Sequence, residues 1–146
     1  MENKQAHLEM IQGVINRLAQ NSFHLKGWSV VLVSALFALA ANETNQCFVY
    51  LAYMPAIAFW ILDGYFLWQE LLFRALYDRV RLLNETDIDF SMDRSVVEEK
   101  GKSWPDAFFS KTLLIFHGTV IASIIVVMIV LIIVNKGGSN GTTSIL

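Results

Sequence analysis

Two titratable side chains stand inside runs otherwise fit for hydrocarbon, where their chemistry would be most costly. Asp63 is the sole formal charge in CFVYLAYMPAIAFWILDGYFLW, the segment from Cys47 to Trp68. His117 lies in the apolar stretch that follows Lys111 and becomes a solid run from Val120 to Val134. An ionised carboxylate in a bilayer needs a partner, and intramembrane ionisable groups face a bundle interior, one another or a water-filled path. Asp63 follows Cys47 by sixteen residues, about 24 Å of helix, and His117 lies six residues, about 9 Å, beyond Lys111 on a helix of opposite direction. The two reach one depth, so a hydrogen-bonded pair of Asp63 and His117 is predicted. A snorkelling Asp63 and an isolated, packed His117 are the alternatives.

Asp63 also starts a stripe. On a helical wheel Asp63, Glu70, Arg74, Tyr77 and Arg81 lie within about 40° of one line, continued by Ala56 and Ala52. Such a face is unsuited to lipid and is expected to line a tight helix contact or, in an oligomer, a wet vestibule leading to a narrow pore. Ser34 with Ala38, and Gly118 with Ala122, are further small pairs that favour close packing. Arg74, Arg79 and Arg81 are the candidate anion-binding residues, which oligomer symmetry would multiply into a basic ring. Glu70 and Asp78 partly neutralise them, and ion-paired solubility is an equal reading for a lone helix. No aromatic platforms are clearly interleaved with them to stack bases.

Other chemistries find little footing. The chain has no Gly-rich phosphate loop, no G-x-S-x-G and no H-E-x-x-H, and its three histidines share no spacing, so neither an enzyme nor a cofactor is expected. Asp87, Asp89, Ser91, Ser95 and Glu98 fall at positions 1, 3, 5, 9 and 12 of an EF-hand loop, but Met92 stands where the sharp turn needs glycine. A solvated loop without metal is the expectation. Cys47, the single cysteine, excludes an intrachain disulfide and a cysteine-based zinc site and is expected as a small buried hydrophobe. His7 and His24 are expected as interfacial or cytoplasmic polar residues.

The elements that must carry these residues follow from apolar run lengths. With 146 residues, two prolines and 55% apolar residues, the chain has more apolar surface than a small soluble core needs. An all-α membrane protein with three transmembrane helices is predicted: residues 25–41, 47–68 with the helix continuing to 83, and 111–134. Residues 5–22 form an amphipathic helix, with Leu8, Ile11, Ile15 and Leu18 within about 80° of one another. Its expected partner is the extension of helix two, which offers Leu72, Leu76, Val80 and Leu83. Residues 84–103 connect helices two and three. Ser103, Pro105 and Asp106 read as a helix start, so helix three should begin before the membrane.

The net charge of -2 conceals an asymmetry: Lys4, Arg17 and Lys26 precede the first span and seven bases lie between the second and third, while NETNQ at 42–46 has none. The positive-inside rule puts the N-terminus in the cytoplasm and the tail, 136–146, outside and flexible. Trp28, Trp68 and Trp104 fall at the predicted inner boundary. Ala38-Leu39-Ala40 has the form of a signal-peptidase site, but the leader before the apolar run is too long, and the span is expected to stay.

The segment Ile11 to Trp28, IQGVINRLAQNSFHLKGW, resembles the opening of a family of small three-span bacterial membrane proteins, the HalA membrane effectors of Hailong antiphage systems. The resemblance covers about the first third of the chain. It implies a homo-oligomeric ion channel, with a tetramer as one size, in the bacterial inner membrane. It further implies a pore held closed by single-stranded DNA oligomers, made by a nucleotidyltransferase-like partner and bound on basic cytoplasmic surfaces. Two other classes are the alternatives: a holin-like lysis pore, against which the basic extension of helix two speaks, and a non-conducting accessory subunit that anchors a partner in the lipid bilayer, against which the polar stripe speaks.

Overall fold

The computed structural model describes residues 2–43, 47–98 and 103–140. Helix α1 (Glu2–Glu43) is unbroken, so the amphipathic segment and the first span form one rod about 63 Å long. Nothing between Ser22 and Trp28 stops a helix: there is no proline, and a lone Gly27 costs only about 1 kcal/mol.

The second span is interrupted near its start, into α2 (Cys47–Leu51) and α3 (Tyr53–Val80). Pro55 is the cause, because it has no N–H for the Leu51 carbonyl and its ring crowds that oxygen. Ala52 between them keeps φ -64° and ψ -23°, and its N–H is shared between the Phe48 and Val49 carbonyls at 3.2 Å each. The far end stops at Val80, short of the predicted Leu83. There the last turn tightens, with Leu82 and Leu83 donating three residues back to Arg79 and Val80, and Asn84 turns extended.

Three helices are long and apolar enough to cross a membrane, over Glu2–Ala41, Cys47–Val80 and Lys111–Val134, and no strand occurs among the described residues. The chain is an all-α, multi-pass membrane protein. Two cores hold the rods together. Toward the end of α1 the small residues Ala40, Ala52 and Ala56 let backbones approach, with Val33, Val49 and Ile124 buried among them. Outside the apolar spans, Ile11 and Ile15 of α1 are buried against Leu76 and Val80 of α3 and Val97 of the connector. The apolar face of the N-terminal segment thus meets the extension of helix two.

The connector folds on its own polar side chains. Asp89 accepts from the Ser91 N–H (2.9 Å), Ser91 Oγ from the Asp93 N–H (3.2 Å) and Asp93 from the Ser95 N–H (2.9 Å), ahead of the short α4 (Ser95–Glu98). Acids at EF-hand spacing are therefore used as turn acceptors. The Ser95 N–H, and after it the Ser95 hydroxyl, hold the Asp93 carboxyl below its ordinary range. That contribution is complete above the ordinary carboxylate range and fades as pH falls through the lowered value. Residues 99–102 lie outside the described residues.

His7 takes a buried place against the connector, and two other expectations, for Cys47 and for the start of helix three, are corrected. His7 is 1% exposed: its Nε2 lies 3.0 Å from the Ser91 carbonyl and its ring packs on Phe90, a residue with φ 56°. Cys47 is exposed, because the core side of α2 is taken by Val49. Helix three does not begin early as one piece. Instead α5 (Trp104–Phe108) is separate, because Phe109 and Ser110 bond back to Pro105 and Ala107, and α6 (Lys111–Asn140) starts on the Ser110 carbonyl. Helix α6 reaches Asn140, so the predicted tail is helical over 136–140, and 141–146 lie outside the described residues.

The start of α5 is a reciprocal cap. Both the Ser103 N–H (3.0 Å) and its hydroxyl (2.7 Å) donate to Asp106 Oδ2, and Pro105 sits in the first turn. Ser103→Ala should weaken α5 by about 1 kcal/mol, read as faster amide hydrogen exchange confined to that helix.

Candidate intramembrane site

Asp63 is fully buried, and side chains from both of the other two long helices reach it. Lys26 Nζ of α1 lies 2.6 Å from Asp63 Oδ2, and His117 Nε2 of α6 lies 2.9 Å from the same oxygen. Ser22, one turn before Lys26, donates its hydroxyl to Asp63 Oδ1 and receives a bond from Lys26 Nζ at 2.8 Å. One carboxylate therefore fastens α1, α3 and α6 together. Asp63 and Lys26 are opposite in charge and in direct contact. Because a carboxylate only accepts, His117 donates through Nε2–H, and its buried Nδ1 has no partner.

A stack of rings sets the imidazole. Trp60, one turn before Asp63 on α3, lies nearly parallel to His117 (5.8 Å between centroids, 7°) and to Phe108 (5.0 Å, 9°). Its indole N–H donates to the Phe108 carbonyl at 3.3 Å. Phe108 belongs to α5, which approaches α3 over Gly64: a Cβ there would stand 3.0 Å from Phe108 Cδ2 and 3.3 Å from its Cα. Gly64 thus brings α5 close enough to close the stack.

The predicted stripe divides. Ala52, Ala56 and Asp63 are buried in helix contacts, and Glu70 is 8% exposed and takes Arg74 Nε (2.8 Å) and Nη2 (2.7 Å) on one oxygen. Farther on the stripe turns outward. Arg74 and Arg81 have side chains 57% and 59% exposed, the latter 3.5 Å from Asp78. Arg79 donates to the Val96 carbonyl at 3.2 Å. Each candidate anion-binding arginine therefore already has a local partner: a buried carboxylate for Arg74, a backbone carbonyl for Arg79 and an exposed ion pair for Arg81.

The comparisons are empty. No family model matches the chain, and no curated protein or solved structure matches it.

Lys26, Ser22, Trp60, Phe108 and Gly64 belong to the site although sequence reasoning did not assign them to it. Only the first two carried a local signal, standing four apart on one helix face at a membrane boundary. Gly118, by contrast, meets no neighbour, and its small-residue pair marks no close approach within the chain. What the site offers is a desolvated, hydrogen-bonded carboxylate whose partners stand on different helices.

Proposed function

We propose that this chain is the subunit of an oligomeric, regulated ion channel of a bacterial inner membrane, and that Asp63, Lys26 and His117 form the latch of its closed state. The observation that carries this reading is the single carboxylate joining all three spans. Desolvated charge is retained in membranes mainly where it serves a pathway or a switch, and separating these helices would return Asp63 and Lys26 to a polar environment. Three spans enclose a path only by symmetric repetition, hence the oligomer. Large apolar side chains left exposed, such as Ile61, Leu62, Val126 and Val130, suit lipid or neighbouring copies. The distribution of Lys and Arg supports a cytoplasmic N-terminus and an external C-terminus.

In this reading Arg74, Arg79 and Arg81 lie on the cytoplasmic side and receive an anionic regulator. The resemblance of Ile11 to Trp28 to the HalA effectors suggests single-stranded DNA oligomers from a nucleotidyltransferase-like partner. Such a ligand must outcompete Glu70 and Asp78 for Arg74 and Arg81. A non-conducting accessory subunit is the second reading, favoured by the satisfaction of Asp63 within one chain. Reconstitution in planar bilayers separates them. A channel should conduct, with a higher open probability for Asp63→Asn, whereas silence of both wild type and Asp63→Asn would leave the accessory role. Salt-dependent binding of short single-stranded DNA, lost when the three arginines become glutamine, tests the regulator.

A further inference from the structure

Helices α1 and α6 part on one side of the bundle to leave a groove of about 740 Å³, within the ~300–1,000 Å³ common for ligand pockets. Its walls run from Val30 to Phe37 on α1 and from Thr112 to Ser123 on α6, with Lys26 and Lys111 at one end. We propose that the groove holds an acyl chain of an anionic phospholipid, whose phosphate head group is shared by Lys111 and Lys26. The site needs only the membrane location, and is independent of the channel reading.

Length, charge and polarity all fit that occupant. From Lys26 to Phe37 is about 16 Å of helix and from Lys111 to Ser123 about 18 Å, against about 15 Å for half of a ~30 Å hydrocarbon core. Beyond it the bundle closes around Ile124 and Ala40, with Leu36 and Val127 packed against them. A transmembrane helix of a second copy would need the full span, whereas one lipid tail needs one leaflet.

Two ammonium groups, Lys26 and Lys111, stand at the mouth, and the Asp63 carboxylate behind it pairs with Lys26, which leaves one positive charge for an anion. Of the three donors on Lys26 Nζ, Asp63 and Ser22 take two, and one is left for a phosphate oxygen. Within the wall, the Thr119 hydroxyl bonds the Ile115 carbonyl (2.7 Å) and the Ser123 hydroxyl the Thr119 carbonyl (2.9 Å). Back-bonded hydroxyls of this kind leave the wall compatible with hydrocarbon. A head group on Lys26 would share the ammonium that neutralises Asp63, so lipid occupancy and the state of the buried cluster are linked.

The test is native mass spectrometry of the full chain in detergent micelles, offered equal amounts of phosphatidylglycerol and phosphatidylcholine. One phosphatidylglycerol per chain should be retained in preference. Lys111→Gln should cut that preference about five-fold, the worth of one lysine near an anionic head group. Ser123→Trp, an exposed position filled from the wall, should expel both lipids with helix content by circular dichroism unchanged. Equal retention of the two lipids by wild type, or an undiminished preference in Lys111→Gln, overturns the proposal. So does a lipid-free dimer that Ser123→Trp dissociates, which would assign the groove to a second copy.

Discussion

Replacing Lys26 with methionine should cost about 3–5 kcal/mol, more than replacing Asp63 with asparagine, and the double variant should recover most of the difference. Lys26→Met keeps an apolar stem of similar length but leaves the Asp63 carboxylate, fully buried, with only Ser22 and His117 for partners. A buried anion without a counter-charge is the expensive outcome. In Asp63→Asn the orphan is instead the Lys26 ammonium, whose side chain is 19% exposed at the mouth of the α1–α6 groove and can turn outward. The amide still offers an acceptor to the His117 Nε2–H. Unfolding of the four proteins, in detergent or mixed micelles, should therefore rank Lys26→Met as the least stable, with a coupling of about 1–3 kcal/mol between the two sites. Strictly additive losses would mean that each group is satisfied on its own and that the pair does not hold α1 to α3.

Depth could be read from the sequence, but identity of partner could not. Counting residues from the membrane boundaries brings Asp63 and His117 to one level because helix rise is fixed and both spans have clear ends. Lys26 escapes that count. It follows a polar, amphipathic stretch and so reads as a boundary base that satisfies the positive-inside rule. Only the unbroken course of α1 through the boundary carries its ammonium in to Asp63. The interruption at Ala52 is legible too, since Pro55 sits inside the second apolar run, although that run's length alone predicts one continuous helix. The separation of α5 from α6 has no such marker. Ser103, Pro105 and Asp106 announce a helix start, and where that helix stops depends on Phe108 docking over Gly64, a contact between residues forty-four apart. Stripe arguments fared unevenly for a related reason: a wheel shows which residues share a face, not which neighbour arrives. Ala52, Ala56 and Asp63 found helices in the same chain, while Arg74 and Arg81 on the same line stayed exposed.

Gly64→Leu should displace α5 and cost about 2–3 kcal/mol, whereas Gly13→Ala on the exposed part of α1 should gain up to about 1 kcal/mol. Both changes relieve the backbone entropy of a helical glycine, so their difference isolates the space around each. Gly13 meets no neighbour, but a Cβ at Gly64 stands 3.3 Å from the Phe108 Cα, and that backbone atom cannot swing aside as a ring edge can. The ring is no freer, since it lies on Trp60 at 5.0 Å and Trp60 in turn lies on His117 at 5.8 Å. Any shift of α5 must therefore loosen the imidazole that holds α6 to Asp63. Hydrogen exchange should show loss of protection in α5 first. The decisive measurement is a cycle with His117→Asn, which removes the imidazole from the stack. If the stack positions His117, Gly64→Leu should cost less in the His117→Asn background than in wild type. An equal cost in both backgrounds would reduce Gly64 to a local packing residue and leave the carboxylate cluster without its clamp.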